Sequence, residues 1–321
     1  MPSAKGSRIH SGLRFSFNAK TNQEEKFMKV FLTGATGFIG SAIVPELIGA
    51  GHQVLGLTRS DAGAKSLNVA GAEVHRGDLE DLESLRSGAA KSDAVIHTAF
   101  NHDFSKFAEN CEADRRVIEA LGAALAGSQR PLVITSGTAM ASSKPGVPAT
   151  ENDPKVSSKV VPRAASEEAA ASVAERGGRV IVVRLPQVHD TVKQGLVSYA
   201  IQVARQKGVS AYVGDGHNRW PAAHRLDTAR LYRLALEKDA SAIYHAVAEE
   251  GISTKEISEV VGKGLNVPVV SLTPEEAPAH FGWLAHFVSW DIPASSAQTR
   301  KQLGWNPTGP GLIADLKNMH Y

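Results

Sequence analysis

Cysteine is almost missing from this chain: Cys111 is the only one in 321 residues. That excludes an internal disulfide and any multi-cysteine metal site. Neither sign of charge is in excess, since 35 basic and 33 acidic residues leave a net +2. A nucleic-acid partner normally requires a clustered basic surplus, so none is expected. No unbroken apolar run comes near the eighteen or so residues of a membrane span, so no membrane insertion is expected. The 12 histidines do not fall at metal-ligand spacings, and no His-x-x-x-His pair flanks a glutamate. No metal is expected. What is present is ordinary globular composition, 42% hydrophobic and 21% charged, which rules out wholesale disorder. At roughly 150 residues per domain the length suits about two domains or one large α/β unit. A chain this long buries a core without covalent staples. The composition points to a cytoplasmic protein of a reducing compartment.

Residues 1–27 differ from the rest. Lys5, Arg8, Arg14 and Lys20 precede the first acidic residue, Glu24, and serines recur. Such a start is similar to a mitochondrial transit peptide. Few leucines and a poor apolar stripe favour an upstream extension instead, with Met28 as the functional start. Either way a flexible leader is expected.

From Lys29 onward, short apolar runs alternate with longer periodic segments, the pattern of a parallel α/β sheet. Val30-Phe31-Leu32-Thr33 reads as the first strand, and Gln53 to Thr58 as the second. Between them Ile39, Ile43 and Leu47 recur at four-residue spacing along one helical face. Further strands are expected to start near Glu73, Ala94, Leu132 and Val180. A sheet of about six strands therefore occupies residues 28–190. Residues 139–162 carry four prolines and read as a long loop. Residues 191–321 read as a smaller, mostly helical cap, with helices near 192–207, 227–238, 253–263 and 295–303. Rings at Phe281, Trp283, Phe287 and Trp290, with His280 and His286, suit the core of that cap; a substrate pocket or a homodimer surface stays open.

The stretch Thr33-Gly34-Ala35-Thr36-Gly37-Phe38-Ile39-Gly40 lies between a strand and an amphipathic helix. In that setting glycine lets the backbone approach a pyrophosphate, and the helix N-terminus presents free N–H groups to it. A dinucleotide is expected there, on Gly34, Thr36, Gly37, Phe38, Ile39 and Gly40. After the second strand comes Thr58-Arg59-Ser60, where an NAD site usually carries Asp or Glu. Arg59 instead suits a ribose 2′-phosphate, so the expected cofactor is NADP(H).

These residues resemble the cofactor loop of extended and atypical short-chain dehydrogenases/reductases, the NAD-dependent epimerase/dehydratase superfamily. Later segments are similar in the same order. Gly77-Asp78-Leu79 resembles the adenine-contacting turn. His97-Thr98-Ala99-Phe100 resembles the segment that lines the cofactor after the fourth strand. Arg184-Leu185-Pro186-Gln187-Val188-His189 is similar to the turn beside the nicotinamide, and His224-Arg225-Leu226-Asp227 to a segment that opens a C-terminal helix. The resemblance spans residues 28–315. It implies a Rossmann-type doubly wound parallel sheet with a smaller C-terminal substrate domain.

It also implies catalytic positions that this sequence does not fill. Family enzymes use a Tyr, a Lys four residues later, an upstream Ser or Thr, and often an Asn. Here Arg163 stands at the Tyr position and Glu167 at the Lys position. Ser136 or Thr138 matches the hydroxyl, and Asp114 the Asn. Arginine does not exchange protons near neutrality. The standard relay is therefore excluded. Arg163 remains able to stabilise a developing alkoxide, and Glu167 to accept hydrogen bonds from ribose. An ordinary surface ion pair between Arg163 and Glu167 is the bland alternative. His189, His224, Asp114 and Thr138 are the nearest proton-handling candidates, and Asp227 reads as a helix cap.

Three functions remain open. One is an NADP(H)-dependent oxidoreductase for a small organic carbonyl or alcohol. The others are a cofactor-binding sensor without catalysis and a non-redox epimerase or dehydratase. An open pocket with Arg163 at its edge favours the first; Arg163 and Glu167 paired across a closed pocket would favour the sensor.

Overall fold

The computed structural model describes residues 27–238 and 240–321. The expected leader, Phe27 apart, lies outside the described residues.

The strands are β1 Lys29–Thr33, β2 Gln53–Thr58, β3 Glu73–Arg76, β4 Ala94–His97, β5 Leu132–Gly137, β6 Val180–Leu185, β7 Gln187–His189, β8 Ser210–Val213, β9 Arg219–His224, β10 Ala242–His245, β11 Glu249–Ser253 and β12 Val269–Leu272. The longer helices are α1 Gly40–Gly49, α2 Asp61–Val69, α3 Leu82–Ala90, α4 Phe107–Ala124, α5 Ala165–Glu175, α6 Val197–Lys207, α7 Arg225–Glu237 and α8 Thr254–Leu265. Seven strands form one sheet in the order β10-β6-β5-β4-β1-β2-β3, and every neighbouring pair is parallel. This is a doubly wound Rossmann-type sheet, with its switch point between β1 and β4.

Successive residues of β1 face opposite layers, as a strand's two-residue period requires. Val30 and Leu32 pack with Ile43 and Leu47 of α1 and with Leu231 and Tyr232 of α7. Phe31 packs on the other side with Leu85 of α3, Ile118 of α4 and Ala169 of α5. Both faces are covered, which explains the unbroken apolar runs of β4 and β6.

The expected six strands within residues 28–190 fall one short. β10 pairs with β6, Tyr244 opposite Val183, so the chain returns to the sheet after residue 190. Four residues of Ala-Ile-Tyr-His are too short to declare themselves by alternation. Helix α7 and Trp305 also pack on the sheet, while other parts of the C-terminal segment build a second core around Trp220, Ile257, Phe281 and Leu316. Two small sheets, β11-β9-β7 and β12-β8, stand there among the expected helices.

Residues 139–162 form the expected irregular stretch, pinned where Ala149 exchanges backbone hydrogen bonds with Pro293 and Ser295. The helix cap expected at Asp227 belongs to His224, whose Nδ1 accepts from the Leu226 amide at 3.3 Å. Asp227 instead accepts from the amides of Thr308 and Gly309, and so fastens the C-terminal segment to α7. Among the described residues no helix is long and apolar enough to cross a membrane.

Candidate active site

A cavity of about 1050 Å³ opens beyond the carboxyl ends of the central strands. This is where an open α/β sheet places its ligands. The glycine turn forms one wall, and its glycines differ in what they permit. Gly34 has φ +69°, and a Cβ there would lie 2.7 Å from the Ala99 amide nitrogen. Gly40 packs α1 onto the turn, since a Cβ there would come within 2.0 Å of the Gly34 carbonyl oxygen. Gly37 closes the turn by donating to that same oxygen at 2.8 Å. Glycine at these positions thus lets the turn pack tightly on Ala99 and α1, the close backbone geometry that a dinucleotide pyrophosphate site requires. Every residue expected at the cofactor lines this cavity: Gly34, Thr36, Gly37, Phe38, Ile39, Gly40, Arg59, Asp78, Leu79, Thr98, Ala99, Phe100, Leu185 and Val188.

At the outer end Arg59 is 83% exposed and meets Asp78, Nη1 to Oδ2 at 3.3 Å. Such a pair is weak in water, and the guanidinium can reorient toward a phosphate. Ser60 beside it caps α2 by accepting from the Gly63 amide.

At the inner end the charges are ordered differently from expectation. Pro162 starts a short 3₁₀ turn, Pro162–Ala164, that leads into α5 and presents Arg163 to the cavity. The Arg163 guanidinium donates to Asp114 Oδ2 at 2.7 Å and to the Thr135 carbonyl at 3.0 Å. It also donates to the Ser166 hydroxyl and lies 4.3 Å over the Phe100 ring. Asp114 is itself held by His97 Nε2 at 2.8 Å and by the Ser166 hydroxyl at 2.5 Å. His97 reaches on to Thr33 Oγ1 at 2.7 Å. Burial alone would raise the Asp114 carboxyl, but the Arg163 charge and His97 outweigh it and hold the group well below the usual carboxylate range. Arg163 is therefore a cation fixed in position, 16% exposed and facing the cavity.

Glu167 does not join it, and neither the ribose role nor the surface pair expected for Glu167 holds. One helical turn on, its carboxylate accepts from Arg184 Nε and Nη2, both at 2.8 Å. The two side chains are 0% and 1% exposed. The Ser136 hydroxyl donates to Glu167 at 2.7 Å, so this cavity-lining group has its proton directed inward. Thr138 also lines the cavity, with only a long 3.4 Å contact to the Leu185 carbonyl.

His189 does not line the cavity. It is buried against Asp315, Nδ1 to Oδ2 at 2.7 Å, and burial lowers its pKa. His224 likewise serves as a cap. The ring cluster divides: Phe281 is in the second core, while Phe287 and Trp290 line the cavity. Burial pushes the Cys111 thiol up to about 11, as suits an unreactive core cysteine.

Sequence reading placed Arg184 and His97 in cofactor-lining segments but missed their charge partners, and it missed Ser166. Arg184 left a signal: a charge inside the run Val-Ile-Val-Val-Arg-Leu must be buried, and a buried charge requires a partner. His102, also missed, lines the cavity mouth, its pKa lowered by burial and by the nearby Lys193 and Arg163 charges.

A family model described as the NAD dependent epimerase/dehydratase family matches residues 30–247. An uncharacterised protein of Schizosaccharomyces pombe is 50% identical over 296 residues, covering 92% of this chain and 100% of that one. A UDP-glucose 4-epimerase of Streptomyces lividans is 27% identical over 333 residues, covering 91% and 96%. The dTDP-glucose 4,6-dehydratase DesIV of Streptomyces venezuelae, solved with NAD bound, superposes with a TM-score of 0.72 at 19% identity, over 91% of this chain and 95% of that one. That last likeness speaks for the fold.

Proposed function

The chain belongs to the NAD dependent epimerase/dehydratase family, and on that premise we propose that it is an NADP(H)-dependent oxidoreductase acting on a small organic carbonyl or the corresponding alcohol. One observation carries this reading. The Arg163 guanidinium is held on the Phe100 ring by Asp114 and Thr135, facing an open cavity.

Reducing a carbonyl develops negative charge on its oxygen. A cation already oriented toward that oxygen stabilises the transition state without reorganising when the charge appears. Arg163 stays charged at any working pH, so its part is electrostatic and not proton transfer. When bound, the nicotinamide supplies the hydride, so that carbonyl, hydride and a proton from water give the alcohol and oxidised cofactor. The remaining work is positional. The glycine turn would hold the pyrophosphate and Arg59 the 2′-phosphate, and the Leu185–Val188 turn would line the nicotinamide end. Thr138 offers a hydroxyl that no short hydrogen bond engages.

Pairing of Arg163 and Glu167 across a closed pocket would have favoured the sensor reading. They take separate partners and the pocket is open, which supports the catalyst.

The test is turnover. The purified chain with NADPH should reduce at least one compound in a panel of aldehydes and ketones, read as loss of NADPH absorbance. NADPH should bind more tightly than NADH. A chain that binds NADPH yet turns over no carbonyl would overturn the oxidoreductase reading. Equal or better use of NADH would overturn the role given to Arg59.

A further inference from the structure

The substrate side of the cavity is walled by a continuous file of rings. Trp283 stacks on Phe104, centroids 4.2 Å apart and planes within 8°. Phe104 stacks in turn on Phe107 at 5.7 Å and 27°. Phe107 meets Phe100 edge to face at 6.4 Å, and Phe100 carries the Arg163 guanidinium on its face. Phe287 joins the same file, edge-on to Phe107 at 6.2 Å and 87° and against Trp290 at 5.4 Å. The file thus runs from the surface to the fixed cation, and Phe100, Phe104, Phe107, Phe287 and Trp290 all line the cavity.

Trp220 also lines the cavity, and among the described residues its buried indole N–H has no partner. The carboxylates that reach the cavity are Asp78 and Glu80 at the adenine end, and Asp114, already bound to Arg163 and His97. Lys193 lies 5.8 Å over Phe38 in the glycine turn and near enough to His102 for its charge to act there, and Arg116 also lines the cavity.

We propose that the substrate is an aromatic carbonyl: an aldehyde or ketone conjugated to a planar ring, its oxygen on Arg163 and its ring against the wall formed by Phe107, Phe287 and Trp290. A guanidinium stacked on a ring donates hydrogen bonds in its own plane. A conjugated carbonyl is coplanar with its ring, so the same molecule meets that donor and lies along the wall. Edge and face contacts between rings add to affinity beyond buried area, about tenfold for a pair of such contacts. A saturated ring of equal size buries similar area and gains none of that addition.

This rests on the oxidoreductase reading for its orientation, but its test does not require turnover. The full chain loaded with NADP is titrated with benzaldehyde and with cyclohexanecarbaldehyde, following tryptophan fluorescence. Benzaldehyde should bind about tenfold more tightly, and Phe287→Leu or Trp290→Leu, both at half-buried positions, should bring the two toward parity. Equal binding, preference for the saturated aldehyde, no binding of either, or a preference untouched by both variants overturns the aromatic class. Selective binding with no reduction in the NADPH-loaded chain would instead sink the oxidoreductase reading and leave the ligand class standing. Reduction of both aldehydes at the same kcat/KM would sink the class and leave the reaction.

Discussion

Two arginine–carboxylate pairs sit one helical turn apart, and they do different work. Arg184 and Glu167 form a two-pronged pair with almost no exposure, behind the wall of the cavity. Arg163 and Asp114 form a pair at its floor, with the guanidinium partly open to ligand. Both satisfy the same rule, that a buried charge must be neutralised and hydrogen-bonded. The difference lies in what the arginine has left over. Arg184 is enclosed and contributes only to the folded state. Arg163 keeps a face toward the cavity, so its charge is available to a reacting group.

The largest effect that would break this contrast is on stability. Glu167→Ala leaves Arg184 buried without its counter-ion and should cost about 3–5 kcal/mol. Denaturant unfolding of the variant measures it, and a loss under 1 kcal/mol would show that water or a shifted side chain replaces the carboxylate. Arg163→Ala should act mainly on rate, lowering kcat by roughly a hundred- to a thousandfold, about 2.7–4 kcal/mol of transition-state stabilisation. NADPH affinity should be unchanged, and steady-state kinetics against a confirmed carbonyl decide it.

The same variant sharpens the comparison through pH. Arg163 and His97 hold the folded Asp114 carboxyl below its unfolded value of about 3.9. Its contribution to stability is therefore complete above that unfolded value and is lost as pH falls through the lowered folded one. Without Arg163 the folded carboxyl rises, so acid unfolding followed by circular dichroism should begin at higher pH than in the parent chain. Gly34→Ala forces a left-handed backbone onto alanine beside the Ala99 amide. It should weaken dinucleotide binding about tenfold, from roughly 1–2 kcal/mol of strain. Arg59→Ala acts on an exposed group, and the smallest effect is expected there: a few-fold loss of NADPH affinity with NADH unaffected, measured by calorimetric titration.

Much of the nucleotide half was legible in advance because its signals are local. The glycines of the turn, the Ile39-Ile43-Leu47 face and the turn at Gly77-Asp78-Leu79 declare themselves within a few residues. Arg59 and Phe100 stand where strand ends put them. The inner half was harder to read. Resemblance placed Arg163 and Glu167 at catalytic positions; Arg163 faces the cavity, and Glu167 is buried on Arg184 behind it. The helical spacing of the two suggested they would face each other. Each instead takes a partner from another element, Asp114 of α4 at 49 residues' separation and Arg184 of β6 at 17. His189 has the residue type of a proton carrier, yet it is buried against Asp315, 126 residues on.

By itself, then, the sequence determined the doubly wound sheet, the cradle at Gly34–Gly40 and the absence of a Tyr–Lys relay. Backbone turns, periodicity and residue identity are properties of the chain's near neighbourhood. Only the tertiary structure decided that β10 completes the sheet, that Ser136 turns its proton to Glu167 and that the rings at 100–107 and 283–290 meet as one wall. Those outcomes depend on which segments pack together, and a charge or a ring takes its role from neighbours supplied by distant parts of the chain.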